Sequence, residues 1–145
     1  YLGMCVTNSK ANPKLRIHWK SIRRFKERIR ELTARSRGRS VQRVIRELMT
    51  YINGWWNYYG VTESRNRLTP LAHWVRRRLR ALIWIHWKNY RTRVRELKKR
   101  GIGHRAALLT GCARKGAWRM SRVKWVNIAI PDAYFTSLGL AFPWT

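Results

Sequence analysis

Arg43, Arg46, Thr50, Asn53 and Asn57 recur three and four residues apart, so a helix through them holds all five on one face. Guanidinium groups beside amides suit one kind of chemistry. They neutralise phosphates and offer hydrogen bonds to unstacked bases and 2′-hydroxyls. No carboxylate falls in that stripe, and Glu47 lies to its side. A solvated helix back ordinarily mixes both signs, so a face of one sign predicts a negative partner. Bond-making chemistry finds little material. The six acids are scattered singly, with no two spaced to hold a pair of metal ions. There is no phosphate-binding glycine loop, nucleophile elbow or zinc-ligand spacing. His18, His73, His86 and His104 lie far apart and read as core or surface histidines. The chain is expected to bind rather than to catalyse.

The charge balance points the same way. In 145 residues, 33 Lys and Arg face six acids, for a net charge of +27. Such a field opposes compaction unless a polyanion screens it. The chain is nevertheless 45% hydrophobic with nine tryptophans, enough to fill a core, so it is no disordered basic tail. Nucleic acid is the expected partner. A membrane is not, because the basic residues are spread over several capped amphipathic helices and no apolar run approaches ~18 residues. Cys5 and Cys112 lack any paired spacing and read as buried thiols of a reducing cytosol. No signal-peptide pattern is evident, and the chain opens inside an apolar strand without an initiator Met, as a piece of a longer protein would.

The elements that must position the stripe follow from periodicity. Leu2 to Thr7 reads as a strand, NSKANP as a turn, and Leu15 to His18 as the returning strand. A first helix, capped by Ser21, buries Ile22, Phe25, Ile29 and Leu32 and leaves Arg23 and Arg30 available. RSRGRS follows, where Arg35, Arg37 and Arg39 and the cap Ser40 could meet phosphate. The central helix then turns Val41, Val44, Ile45, Leu48, Ile52, Trp55, Trp56 and Tyr59 inward, opposite the arginine and asparagine stripe; Tyr58 stands beside Asn57.

Thr69-Pro70 is expected to open a third helix with Leu71, Val75, Leu79, Leu82 and Ile85 inward. His73, Arg76, Arg77 and Arg80 share its far face, and Trp84 and Trp87 continue it. Those tryptophans can stack on bases or guanidinium groups unless another helix covers them. Arg78 falls inside the apolar stripe and requires an acid, Glu47 or Glu63, or an exit through a gap. A short basic helix from Thr92 to Arg100 ends at Gly101, and Gly-punctuated short helices complete the chain.

Read together, RFKERIRELTAR, YINGWWNYYG, WVRRRLR, GAWRMS and AYFTSLGL resemble, in order, the thumb and maturase (domain X) region of group II intron reverse transcriptases. Tyr1-Leu2-Gly3 resembles the strand that closes the palm of such enzymes. The resemblance implies a mainly α fold, a helical bundle with a short N-terminal β-hairpin belonging to the end of a palm domain. It divides the chain into 1–18, the trailing hairpin; 19–101, the thumb and maturase bundle; and 102–145, a C-terminal helical extension. It further implies group II intron RNA and a template-primer duplex as partners, contact with the palm and fingers of the same chain, and a cytoplasmic, bacterial setting. The polymerase aspartates are absent, so no cofactor is expected here and Mg belongs to the parent enzyme. The competing class is a ribosome-associated structural RNA-binding protein; a DNA-reading helix-turn-helix is disfavoured by the long 60–69 loop.

Overall fold

A computed structural model describes residues 3–7, 10–11, 13–35, 38–62 and 65–145. Among them the fold is mainly helical with a two-stranded antiparallel hairpin at the start. Strand β1 (Met4–Val6) pairs with β2 (Leu15–Ile17), Cys5 opposite Arg16. Helices α1 (Trp19–Leu32), α2 (Val41–Tyr59) and α3 (Arg65–His86) form the body, and α4 (Tyr90–Lys99) to α8 (Asp132–Ser137) wrap it. Between these lie α5 (His104–Gly111), α6 (Ala117–Met120) and α7 (Lys124–Ala129).

The hairpin is marginal alone and is held by the helices. Ser21, expected to cap α1, instead donates its hydroxyl to the Gly3 carbonyl at 2.8 Å. His18 caps the helix, its Nδ1 accepting from the Lys20 amide at 3.2 Å. A β-carbon at Gly3 would collide with Ser21 Oγ and the Tyr59 hydroxyl, which ties the hairpin to α2 as well.

The apolar stripe of α2 sits where its period places it. Val41, Val44, Ile45, Leu48, Ile52 and Trp55 are buried, with Trp56 and Tyr59 packed at the edge. Ser40 caps the helix, accepting from the Arg43 amide at 3.2 Å. Helix α3 begins a turn earlier than Thr69-Pro70 suggested, and Pro70 lies inside it. Leu68 is fully buried, and drawing it into the core winds the preceding residues into helix despite the proline. The α2–α3 connection is therefore residues 60–64, of which Glu63 and Ser64 lie outside the described residues.

Helix α4 starts at Tyr90, with Asn89 Oδ1 accepting from the Thr92 amide at 2.9 Å. It ends at Gly101 as expected, in a left-handed turn (φ 93°) with the Ile102 amide returning to the Leu97 carbonyl at 3.0 Å. Helix α8 ends the same way at Gly139 (φ 99°), the Leu140 amide reaching the Phe135 carbonyl at 3.0 Å. That second turn sends the chain back over the body. Leu140, Phe142 and Trp144 are buried, and Trp144 meets Phe25, Trp55 and Trp56. One hydrophobic cluster consequently runs from Ile17 to Trp144. Cys5 and Cys112, expected to be buried, are free and exposed, one on the hairpin and one just past α5. No helix of the described residues is long and apolar enough to cross a membrane.

Candidate nucleic-acid interface

On the outer side of α2, Arg43, Arg46, Thr50, Asn53 and Asn57 are all exposed, and Tyr58 is 47% exposed beside them. The helical period fixes this arrangement, since the opposite face is occupied by the core. The stripe is less purely cationic than its sequence suggested. Glu47 turns toward it and pairs with Arg43 at 3.5 Å and with Arg39. Arg43 and Glu47 are an i,i+4 pair on the helix, whereas Arg39 reaches the same carboxylate from the loop before it; Glu47 is the sole acid of α2. Arg46 has no ion pair among the described residues. Arg43, Arg46, Glu47 and Thr50 line a shallow open depression there.

Of the other candidates, Arg35 is exposed before the Ser40 cap, while Arg37 lies outside the described residues. On α1, Arg23 pairs with Glu27 at 3.3 Å, and Arg30 lies over the Trp74 ring at 5.4 Å. Every described acid is matched by at least one arginine: Glu27, Glu31, Glu47, Glu96 and Asp132. With 33 basic residues against six acids, most of the positive charge has no carboxylate to pair with.

The far face of α3 departs from expectation. Arg80 is 7% exposed, donating to the Ile130 carbonyl at 2.8 Å and to Asp132. Arg76 reaches the same carboxylate at 3.8 Å and lies over Phe142. Trp84 and Trp87 are 1% and 8% exposed, covered by Arg93 and Arg100 of α4 and its end. These three residues, Arg80, Trp84 and Trp87, are thus parts of the core and not open contacts. The C-terminal helices supply the cover, a placement that α3's own periodicity does not encode.

Arg77 is only partly withdrawn. It donates to Ser121 Oγ at 3.0 Å and to the Trp118 carbonyl at 2.9 Å, stacked on the Trp118 ring at 3.6 Å. Arg78 pairs with no acid among the described residues, and Glu63, one of its two expected partners, lies outside them. The Arg78 Nε and Nη2 donate to Thr33 Oγ1 at 3.2 and 3.1 Å. Burial, reinforced by Arg30, lowers the Arg78 guanidinium from its ordinary value.

Sequence reasoning passed over Arg122 and Lys124, which stand with His73 and Arg77 along a groove between α3 and the α6–α7 segment. Their signal was present as interleaved aromatic and basic residues in AWRMSRVKW. Among the described residues no three His, Cys, Asp or Glu side chains gather as a metal-binding group.

Fold and surface thus define a basic helical module whose central helix buries one face and offers the other. The model of the group II intron maturase-specific domain matches residues 22–101, more than half of the chain, and the chain belongs to that family. The matched segment runs from the first turn of α1 to Gly101, the residue that terminates α4. Membership assigns a maturase role in group II intron splicing, with intron RNA as the implied partner. No curated protein matches the chain.

Proposed function

We propose that this chain binds folded group II intron RNA through the outer face of α2, and in its parent protein also grips a template-primer duplex. The observation carrying this reading is the exposed row of Arg43, Arg46, Asn53 and Asn57, set by helix period against a fully packed opposite face. Arg46 supplies charge toward phosphates, and the asparagines supply donors and acceptors toward bases and 2′-hydroxyls. Tyr58 adds a ring for stacking. Arg23, Arg30 and Arg35 extend the positive field along α1 and the loop after it.

Docking on a palm and fingers domain belongs to the same reading. It is supported by Val6 and Trp19, each 61% exposed beside the hairpin, where apolar side chains await cover. A DNA-reading helix-turn-helix fits poorly, despite the short α2–α3 connection. Helix α3 buries Leu68, Leu71, Val75, Leu79, Leu82 and Trp84 on one side, and on the other Arg76, Arg77 and Arg80 are engaged within the protein rather than free to read bases.

The test is capture of RNA from cells expressing the full-length parent protein. Enrichment of group II intron transcripts is expected. Enrichment of ribosomal RNA with no intron transcripts would replace this reading with that of a ribosome-associated protein.

A further inference from the structure

The groove between α3 and α6–α7 lies largely beyond the matched segment and encloses about 600 Å³. His73, Arg77 and Arg80 line one wall; Arg122, Lys124 and Asn127 line the other. From Ile102 to the end of the chain the sole acid is Asp132, and it is engaged by Arg76 and Arg80. Neither Arg122 nor Lys124 has a carboxylate partner among the described residues. Asn127 already donates its amide to the Ser121 and Val123 carbonyls, at 3.0 and 2.9 Å. What the groove offers a ligand is therefore cationic.

The positions are also held firmly. Arg77 is fixed by two hydrogen bonds and a ring stack, so its charge is presented at little further entropic cost. Like charges placed together without an acid raise the free energy of the empty groove, and an anion between them lowers it. Burial and the neighbouring Arg122 both depress the Arg77 guanidinium, in keeping with that crowding.

We propose that this groove is a second nucleic-acid contact, in which Arg77, Arg122 and Lys124 hold a backbone phosphate independently of the α2 face. The ligand is a phosphodiester, not a base. The groove's unpaired charges are two guanidinium groups and one ammonium, and a phosphate oxygen is the acceptor that all three share. Trp118 and Trp125, 41% and 36% exposed, each carry a cation over the ring, Arg77 at 3.6 Å and Lys124 at 5.0 Å, and neither ring lines the groove.

The experiment uses the whole chain and a transcribed group II intron RNA. Arg122→Ala/Lys124→Ala changes exposed side chains and should leave the melting temperature in place. It should reduce the log-log salt slope by about one phosphate contact. Acetylation of Lys124, read by mass spectrometry, should be suppressed by the RNA both in the wild type and in an Arg46→Ala variant. An unchanged slope with Lys124 acetylated equally with and without RNA would overturn the proposal, leaving the α2 reading intact if Arg46→Ala still lowers the slope. A wild type with no salt dependence overturns both.

Discussion

Trp144, the penultimate residue, packs edge-on against Trp55 of the central helix, their ring centroids 5.9 Å apart. Phe25 meets both rings, at 4.8 Å from Trp55 and 6.3 Å from Trp144. The end of the chain is thereby built into the same core that holds α2 and fixes which way its arginines point. Trp144→Ala and Trp55→Ala should each cost roughly 3–5 kcal/mol, because both rings are nearly enclosed and a cavity remains. Denaturant unfolding measures this. If Trp55→Ala unfolds like the wild type and loses only RNA affinity, Trp55 is a stacking platform and the face assignment is wrong.

Arg78 and Thr33 form a second long-range tie. The threonine hydroxyl donates to the Ile29 carbonyl at 2.7 Å while accepting two guanidinium hydrogen bonds. Thr33→Val keeps the shape and strands a half-buried charge, with an expected loss of about 1–3 kcal/mol. Arg78→Met removes the charge with its need for a partner and should cost less. Equal losses would show that the hydrogen bonds contribute little there.

Asp132 clamps α8 onto α3 through Arg80 and Arg76. Asp132→Ala leaves the buried Arg80 guanidinium with the Ile130 carbonyl as its remaining acceptor and should destabilise by about 3 kcal/mol. Protease sensitivity should increase first between residues 117 and 145. A variant melting with the wild type would mean that Arg80 is satisfied without the clamp.

The pKa of the His86 imidazole, a residue exposed in part, is lowered from its ordinary value by partial desolvation and by Lys88. A histidine with a depressed folded pKa favours folding while neutral. Its contribution is present above the unfolded value near 6.5 and is lost as pH falls toward the folded value. Melting temperature should drop more between pH 7 and pH 5 in the wild type than in His86→Gln. Parallel curves would contradict this.

Much of this architecture was legible in the sequence because it is local. Period 3.6 placed the inner face of α2, Ser40 announced its cap, and Gly101 announced the end of α4. The family match over residues 22–101 agrees with the motifs read in order there. What escaped depends on contacts distant in the chain. Trp84, Trp87 and Arg80 looked like an open basic face until α4, α7 and α8 covered them. Ser21 has every attribute of a cap, yet Gly3 competes for its hydroxyl. Glu47 was read as lying beside the stripe, but its side chain is long enough to reach Arg43 and Arg39. Of the candidate interface, α2 was visible from spacing alone. The α3–α7 groove was not, since its walls are 50 residues apart in places.

The most direct measurement is the salt dependence of binding to one folded group II intron RNA, for the wild type and for Arg43→Ala/Arg46→Ala. Both arginines are exposed on a helix, so stability should stay within about 1 kcal/mol. The wild-type slope should imply on the order of five or more phosphate contacts. In the double variant it should fall by up to about two, less if Glu47 keeps Arg43 from the RNA. Asn57→Ala, which carries no charge, should lower discrimination among RNAs at nearly constant slope. An unchanged slope together with a much lower melting temperature would contradict the account, making the outer face of α2 a seam between protein surfaces.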